Sequence, residues 1–257
     1  MNVKAIKTEK ALPGKIGLFE LLDKYLTSFE ENSILAITSK VVSICEGRAV
    51  PIKGSNKDEL VRQEADFYLP REENKYDVYL TIKDGQLVAT AGIDESNGAG
   101  YFILWPANPQ KSANQIREYL TKRFNLKKIG VLITDSKTTP LRWGTTGMAI
   151  AHSGFRALKN YIGTKDLFGR KLKMTKASVI DGLAAAAVFE MGEGDEQTPL
   201  AVISDISQVE FVDRNPTGGE LKELEISIED DLYGSILKRA PWKKGLAKRD
   251  PALRDKK

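Results

Sequence analysis

Residues 90–100, TAGIDESNGAG, crowd two carboxylates (Asp94, Glu95), a hydroxyl (Ser96) and a carboxamide (Asn97) between small residues and glycines. Such a run is most often a solvated polar turn, because Gly, Asp, Asn and Ser are turn residues. It becomes one wall of a metal or phosphate site only if partners exist elsewhere in the chain. Candidates of the same grammar are present: Thr38, Ser39 and Lys40 follow the apolar run ILAI, and Thr134, Asp135 and Ser136 follow GVLI. A fourth cluster, MGEGDEQ, brings Glu193, Asp195 and Glu196 with two glycines that let a ligand approach the backbone. Carboxylates from separate segments plus a serine hydroxyl suit Mg²⁺ or Mn²⁺, hard ions that take oxygen ligands and leave positions for water and phosphate. Lys40 would then face phosphate. No GxxxxGK[ST] loop and no GxGxxG after a strand occurs. The one histidine, His152, makes a histidine zinc site untenable, and beside Ser153 it reads as a packing residue.

Elements that could position these clusters are legible. Residues 78–90 form a hairpin: VYLTI alternates, Asp84-Gly85 turns, and QLVAT returns. IGLFELLDKYLTSF and KSANQIREYLTKRFN carry apolar residues at helical spacing, the second opened by a Ser112/Gln115 capping box. TKASVIDGLAAAAVFEM is an alanine-rich helix, capped by Thr175 and stopped by Gly192. SILAIT and IGVLIT are buried-type strands, and the second ends at Asp135 and Ser136; PLAVIS and SQVEFV are further strands. Helices and strands mix without strict βαβ alternation, which favours an α+β or irregular α/β architecture over a doubly wound sheet.

At 257 residues and 41% hydrophobic composition, the chain can bury a sizeable core in one domain or two closely associated subdomains. Residues 1–237 are expected to form it. One cysteine, Cys45, excludes an internal disulfide. No apolar run approaches the ~20 residues of a membrane span, and MNVKAIKTEKALPGKIG has no signal core, so a cytoplasmic protein without a membrane partner is expected. The net charge of +4 is concentrated in residues 238–257, read as a flexible, dispensable basic tail. The remainder is close to neutral, so nucleic-acid binding is not expected.

ILAITSKVVSICEGR, TAGIDESN, TDSKTTPLRWGTTGMAIAHSG, DLFGRKLKMTKASVIDGLAAAAVFEMGEGDE and PLAVISD follow one another in an order that resembles the coenzyme F420-0:γ-glutamyl ligases, over most of the chain. The resemblance implies a mixed α/β ligase fold in an intertwined homodimer. It implies a GTP-dependent amide ligase that activates a carboxylate of a cofactor precursor as an acyl phosphate for attack by L-glutamate. Two Mg²⁺ or Mn²⁺ ions serve that chemistry, with K⁺ assisting in some members. Carried over by motif, Asp94 and Asp135 would hold one ion, and Ser136 and Glu193 the other. Leu12, Pro13, Ser39, Lys40 and Asn97 would touch the nucleotide, together with the loop of Met191, Gly192, Gly194, Asp195, Glu196, Gln197 and Thr198. The motifs assign no residue to proton transfer.

Three departures stand out. Ile44 replaces a lysine expected to face the nucleotide, for which Lys137 is a candidate substitute. TDSKTTPLR lacks a Gly-Arg pair of the family's SDTFGRPWR, and Ser204-Asp205 replaces Arg-Gly. They leave three readings: the deazaflavin-cofactor ligase itself, γ-glutamylation of another acceptor such as a folate, and a non-catalytic nucleotide-binding homologue. The full set Asp94, Asp135, Ser136 and Glu193 speaks against the third.

Overall fold

The computed structural model describes residues 1–247. Along the chain come β1 (Asn2–Ile6), α1 (Leu18–Tyr25), β2 (Ile34–Thr38), α2 (Ser39–Cys45), β3 (Ala49–Pro51), α3 (Lys57–Glu64), β4 (Phe67–Leu69), β5 (Leu80–Lys83), β6 (Gln86–Ala89) and β7 (Tyr101–Ile103). There follow α4 (Pro109–Phe124), β8 (Gly130–Thr139), β9 (Arg142–Ser153), β10 (Leu158–Asn160), β11 (Lys176–Ser178), α5 (Val179–Met191), β12 (Leu200–Ser204), α6 (Gly218–Lys222), α7 (Gly234–Leu237) and β13 (Lys243–Lys244).

A five-stranded sheet of order β1-β12-β2-β8-β9 forms the centre. Only β2 and β8 run parallel, so the architecture is mixed α/β. Both faces of β2 and β8 are covered, which is why ILAI and GVLI read as unbroken apolar runs rather than alternating ones. Val131 and Ile133 point to a core shared with α1, α2 and α4, whereas Leu132 points to the core beneath α5. Each fully buried Leu or Ile contributes ~1.5–3 kcal/mol, and these cores fix the strand ends from which the polar clusters emerge. A second, four-stranded sheet of order β13-β4-β5-β6 carries the hairpin and packs with α3 around Val61, Tyr79 and Phe102. Its turn has Asp84 and Gly85 at φ 49° and 75°, the doubly left-handed form that suits a two-residue hairpin. Among the described residues no helix is long and apolar enough to cross a membrane.

Four local expectations are corrected. α4 starts earlier than Ser112: Asn108 accepts from Lys111 N–H at 2.9 Å, and Pro109 occupies the first turn, where its missing N–H costs nothing. Ser112 is instead buried and donates to the Glu46 carboxylate. Helix α5 is capped by Ser178 rather than Thr175, because 176–178 is already a strand paired with β10. SQVEFV forms no named strand, only an isolated bridge from Phe211 to Phe155. And β8 runs on through Asp135 and Ser136 to Thr139 in a long ribbon with β9.

The expected tail is also corrected over its first part. β13 pairs antiparallel with β4, joining Lys243 to Tyr68 and Lys244 to Phe67. Gly245 N–H then donates to Asp66 O at 2.8 Å, Leu246 N–H to Arg62 O at 2.7 Å and Ala247 N–H to Ala65 O at 3.2 Å. The Gly245 Cα lies so close to that segment that a Cβ would sit 1.9 Å from Ala65 O. A two-lysine strand carries no apolar signal, so the pairing is invisible in sequence. The rest of the expected tail, 248–257, lies outside the described residues. Truncation after Leu237 is therefore expected to destabilise the protein. The three backbone hydrogen bonds of Gly245, Leu246 and Ala247 alone, at ~1 kcal/mol each, set the scale at ~3 kcal/mol or more, since the β13–β4 pairing is lost with them. Urea unfolding of the two lengths measures it, and coincident curves would show that the segment after Leu237 adds nothing.

Candidate functional site

The parallel pair β2–β8 creates the site. Thr38, the last residue of β2, pairs with Thr134, where the parallel pairing of the two strands ends although β8 runs on, and ligands in mixed sheets collect where parallel pairing ends. After Thr38 the chain turns directly into α2, the Thr38 hydroxyl accepting from Val41 N–H at 3.4 Å, which presents Ser39 and Lys40 at the sheet edge. The β8–β9 ribbon shifts register between Ile133 and Thr134, a bulge immediately before Asp135 of the kind that re-aims side chains at sites.

Because β8 continues as a strand, adjacent residues face opposite ways. Asp135 lies on the side of Val131 and Ile133, toward the loop that carries Asp94. Ser136 lies on the side of Leu132, toward the end of α5, where its hydroxyl donates to the Glu193 carboxylate at 2.7 Å. Thr145, across the ribbon, also approaches that carboxylate, at 3.4 Å. One strand thus feeds two acidic sites.

On the first side, Lys40 Nζ lies 3.3 Å from Asp94 Oδ2 and donates to Ser96 O at 3.1 Å. Asp94 is fixed by a two-way backbone bridge to Ile103, with N···O distances of 2.9 and 2.8 Å. Asp135 accepts from its neighbour's amide, Ser136 N–H, at 2.8 Å, and from the indole N–H of Trp105. Burial, and next the Asp94 carboxylate, push Asp135 up to about 7; the Ser136 and Trp105 N–H groups and Lys40 oppose that rise. The cost of ionising Asp135 beside the Asp94 carboxylate is what a bound cation would relieve.

Lys40, Asp94, Asp135, Ser136 and Glu193 border one cavity of about 530 Å³. It is lined by Leu12, Ser39, Lys40, Asp94, Asn97, Asp135, Ser136 and every residue from Met191 to Thr198; Pro13 stands outside the lining. Its apolar side is built from Leu12, Val41, Ile44, Val188 and Met191. Asn97 has φ 56°, and its amide N–H donates to Gly194 O at 2.8 Å, so this side chain braces the two loops against each other. Gly194 N–H in turn donates to Glu196 Oε2 at 2.8 Å. The far end of the loop is tied to the strand before the site by Thr8 N–H donating to Gln197 O at 2.9 Å.

Sequence reasoning missed Thr8, Glu9 and Lys10, which line the cavity because β1 pairs with β12 and delivers them beside the 191–199 loop. Long-range pairing leaves no local mark. Lys137, one residue past Ser136, does not line the cavity; among the described residues Lys10 and Lys40 are its basic lining groups. Trp105 was also missed, although a buried tryptophan at a strand exit needs a partner for its N–H. His152 is buried edge-on to Phe155, and burial holds its imidazole down to about 4, as suits a neutral packing residue.

Among the described residues no three His, Cys, Asp or Glu side chains form one metal cluster. The acidic groups fall instead into the pairs Asp94/Asp135 and Ser136/Glu193. Two oxygen donors each is the sparse protein share that suits Mg²⁺ or Mn²⁺ carrying phosphate and water. The burial of the Asp135 carboxyl beside the Asp94 carboxylate fits a cation there.

The F420-0:Gamma-glutamyl ligase family matches this chain over residues 6–205. Among similar proteins, the coenzyme F420:L-glutamate ligase of Methanococcus maripaludis strain C6 is 37% identical over 231 residues, which cover 84% of this chain and 90% of the relative. That of Archaeoglobus fulgidus is 34% identical over 227 residues, covering 82% and 88%. That of Methanocaldococcus jannaschii is 32% identical over 209 residues, covering 74% and 81%.

Proposed function

The chain belongs to the F420-0:gamma-glutamyl ligase family, and from that premise we propose that it joins L-glutamate to a carboxylate of the deazaflavin cofactor precursor, using GTP and two Mg²⁺ or Mn²⁺ ions. The observation that carries the reading is the convergence of both acidic pairs, Lys40 and an apolar wall on a single cavity.

In this reading the γ-phosphoryl group of GTP passes to the acceptor carboxylate, giving an acyl phosphate and GDP. The glutamate amine then attacks the acyl carbon; the C–N bond forms, the C–O bond to phosphate breaks, and the amine loses a proton. Asp94 and Asp135 would hold one ion and Ser136 with Glu193 the other. Bound there, the ions would neutralise the phosphate charge that repels an incoming carboxylate. Lys40, already against Asp94, adds a fixed positive charge to the phosphate side. Leu12, Val41, Ile44 and Met191 offer the base an apolar surface. Asn97, by tying its loop to Gly194, keeps the two walls at a constant separation.

We further propose that the protein works as a homodimer. Leu141 and Trp143 at the tip of the β8–β9 ribbon and Phe189 on α5 are exposed apolar side chains that a second copy would cover.

With Ile44 in the apolar wall, the second phosphate-facing cation is Lys10 rather than Lys137. Lys10→Ala is expected to weaken GTP binding about tenfold, the scale of one charge-assisted hydrogen bond, whereas Lys137→Ala leaves it unchanged. Calorimetric titration with Mn²⁺ and each nucleotide measures both. Equal losses would place the nucleotide differently. The acceptor is tested by incubating GTP, Mn²⁺ and L-glutamate with a panel of deazaflavin and folate acceptors, read by mass. Addition to a folate but not to the deazaflavin precursor would overturn the acceptor assignment.

A further inference from the structure

Outside the cavity lining lies a half-buried charged cluster that the reaction itself does not use. Glu64 on α3 binds Arg48 at 2.7 Å and Lys83 at 2.5 Å. Both cations then meet one residue, Trp105. Arg48 Nε–H donates to the Trp105 carbonyl at 3.0 Å, and the Lys83 ammonium lies 5.5 Å from the indole ring centroid. Val88 and Met148 close the remaining sides of the ring, which is 1% exposed. The backbone has made room for it: Gly92 has φ 69°, and a Cβ there would lie 2.0 Å from Trp105 Nε1. From this seat the indole N–H reaches Asp135 Oδ2. Oδ1 of the same carboxylate holds the Ser136 amide. Each oxygen of Asp135 therefore has one protein donor, and the carboxylate cannot rotate without breaking one.

We propose that Trp105 is a positioning residue for Asp135: its indole N–H, held in place by Arg48, Lys83 and the gap at Gly92, fixes the carboxylate plane in which Asp135 meets a divalent cation. The proposal rests on the reading of Asp94 and Asp135 as a cation pair. A hydrogen bond to the outer side of a ligating carboxylate sets its orientation and basicity, and removal of such partners typically lowers metal affinity ~10–100-fold. Phenylalanine keeps an aromatic ring beside the Lys83 ammonium and removes the N–H together with part of the indole's volume, so the indole resonance of the native tryptophan supplies a readout that does not depend on this change.

The test compares wild type, Trp105→Phe and Asp135→Asn by calorimetric titration with Mn²⁺ in the absence of nucleotide. Wild type should bind, Asp135→Asn should lose the site, and Trp105→Phe should bind ~10–100-fold more weakly. Wild-type affinity in Trp105→Phe, with the site lost in Asp135→Asn, overturns the role of Trp105 alone. No Mn²⁺ binding by wild type, or unchanged binding by Asp135→Asn, overturns the cation reading and this proposal with it. A second measurement needs no change at Trp105. In ¹H–¹⁵N spectra the indole resonances of Trp143 and Trp242 are assigned by Trp143→Phe and Trp242→Phe. The remaining one, from Trp105, should move when Mg²⁺ is added and in Asp135→Asn. A Trp105 resonance unmoved by Asp135→Asn would show that the indole does not donate to that carboxylate.

Discussion

Asp135→Asn should fold, should keep affinity for GTP, and should lose turnover by at least about a hundredfold. The substitution preserves size but removes the charge that opposes Asp94 across the cavity and that would hold a cation against the phosphates. Loss of one preorganised electrostatic contact at a transition state costs ~3 kcal/mol, or about a hundredfold in rate. The Trp105 indole N–H can still be accepted by the amide oxygen, so the local structure has a way to persist. Ser136 and Glu193 lie on the other side of β8, joined to each other at 2.7 Å, and are untouched by the change. Circular dichroism and GTP titration check the fold and binding, and steady-state phosphate release checks turnover. A variant with near-wild-type turnover would remove Asp135 from the reaction.

Glu64→Gln should produce the largest loss of stability, ~3–5 kcal/mol, the usual cost of leaving a buried charge without its partner. Its side chain balances two cations, and the Lys83 side chain is only 7% exposed. Burial works to raise the Glu64 carboxyl, but Lys83 and then Arg48 outweigh it and hold the group below its ordinary value of 4.5. The sign of the pH dependence follows. A carboxyl with a depressed native value contributes stability above its unfolded value and loses it as pH falls through the native one. The gap between wild type and Glu64→Gln in urea unfolding should therefore be full at pH 7 and close at a pH below the depressed native value. A gap under ~1 kcal/mol at pH 7 would mean that Lys83 and Arg48 find other partners.

Sequence alone made the apolar parts of this fold readable. ILAI and GVLI are buried on both faces, so their runs are continuous; the hairpin of VYLTI and QLVAT is present, but its alternation misleads about the covered face, since Thr81 and Lys83 are buried while Leu80 and Ile82 are half-buried and Leu87 is exposed. Polar structure was less readable. Ser136 to Thr139 carry no apolar signal, yet they extend β8 because Thr138 and Thr139 find partners across the ribbon at Thr145 and Arg142. That extension matters most for the site, since a strand and not a turn puts Asp135 and Ser136 on opposite faces. Caps were misassigned where two candidates stood close together: Asn108 and Ser112, Thr175 and Ser178. In both cases tertiary pairing or a proline chose the start. The acidic clusters were identifiable because each directly follows a readable apolar element: GVLI for Asp135, the hairpin for Asp94 and the alanine-rich helix α5 for Glu193. Lys10 and Trp105 were not, because the first arrives through β1–β12 pairing and the second through an indole pressed past Gly92. The glycine in TAGIDESN has a meaning that only the structure supplies: it leaves space for a side chain thirteen residues downstream that holds Asp135.

The central claim is that this cavity makes a γ-glutamyl bond at the expense of GTP. It is tested most directly by incubating the protein with GTP, Mn²⁺, L-glutamate and the deazaflavin precursor, and following the precursor's mass together with phosphate release. One phosphate should be released for each glutamate added, with both signals absent in Asp135→Asn. Phosphate release without glutamate addition, or glutamate addition that persists in Asp135→Asn, would contradict it.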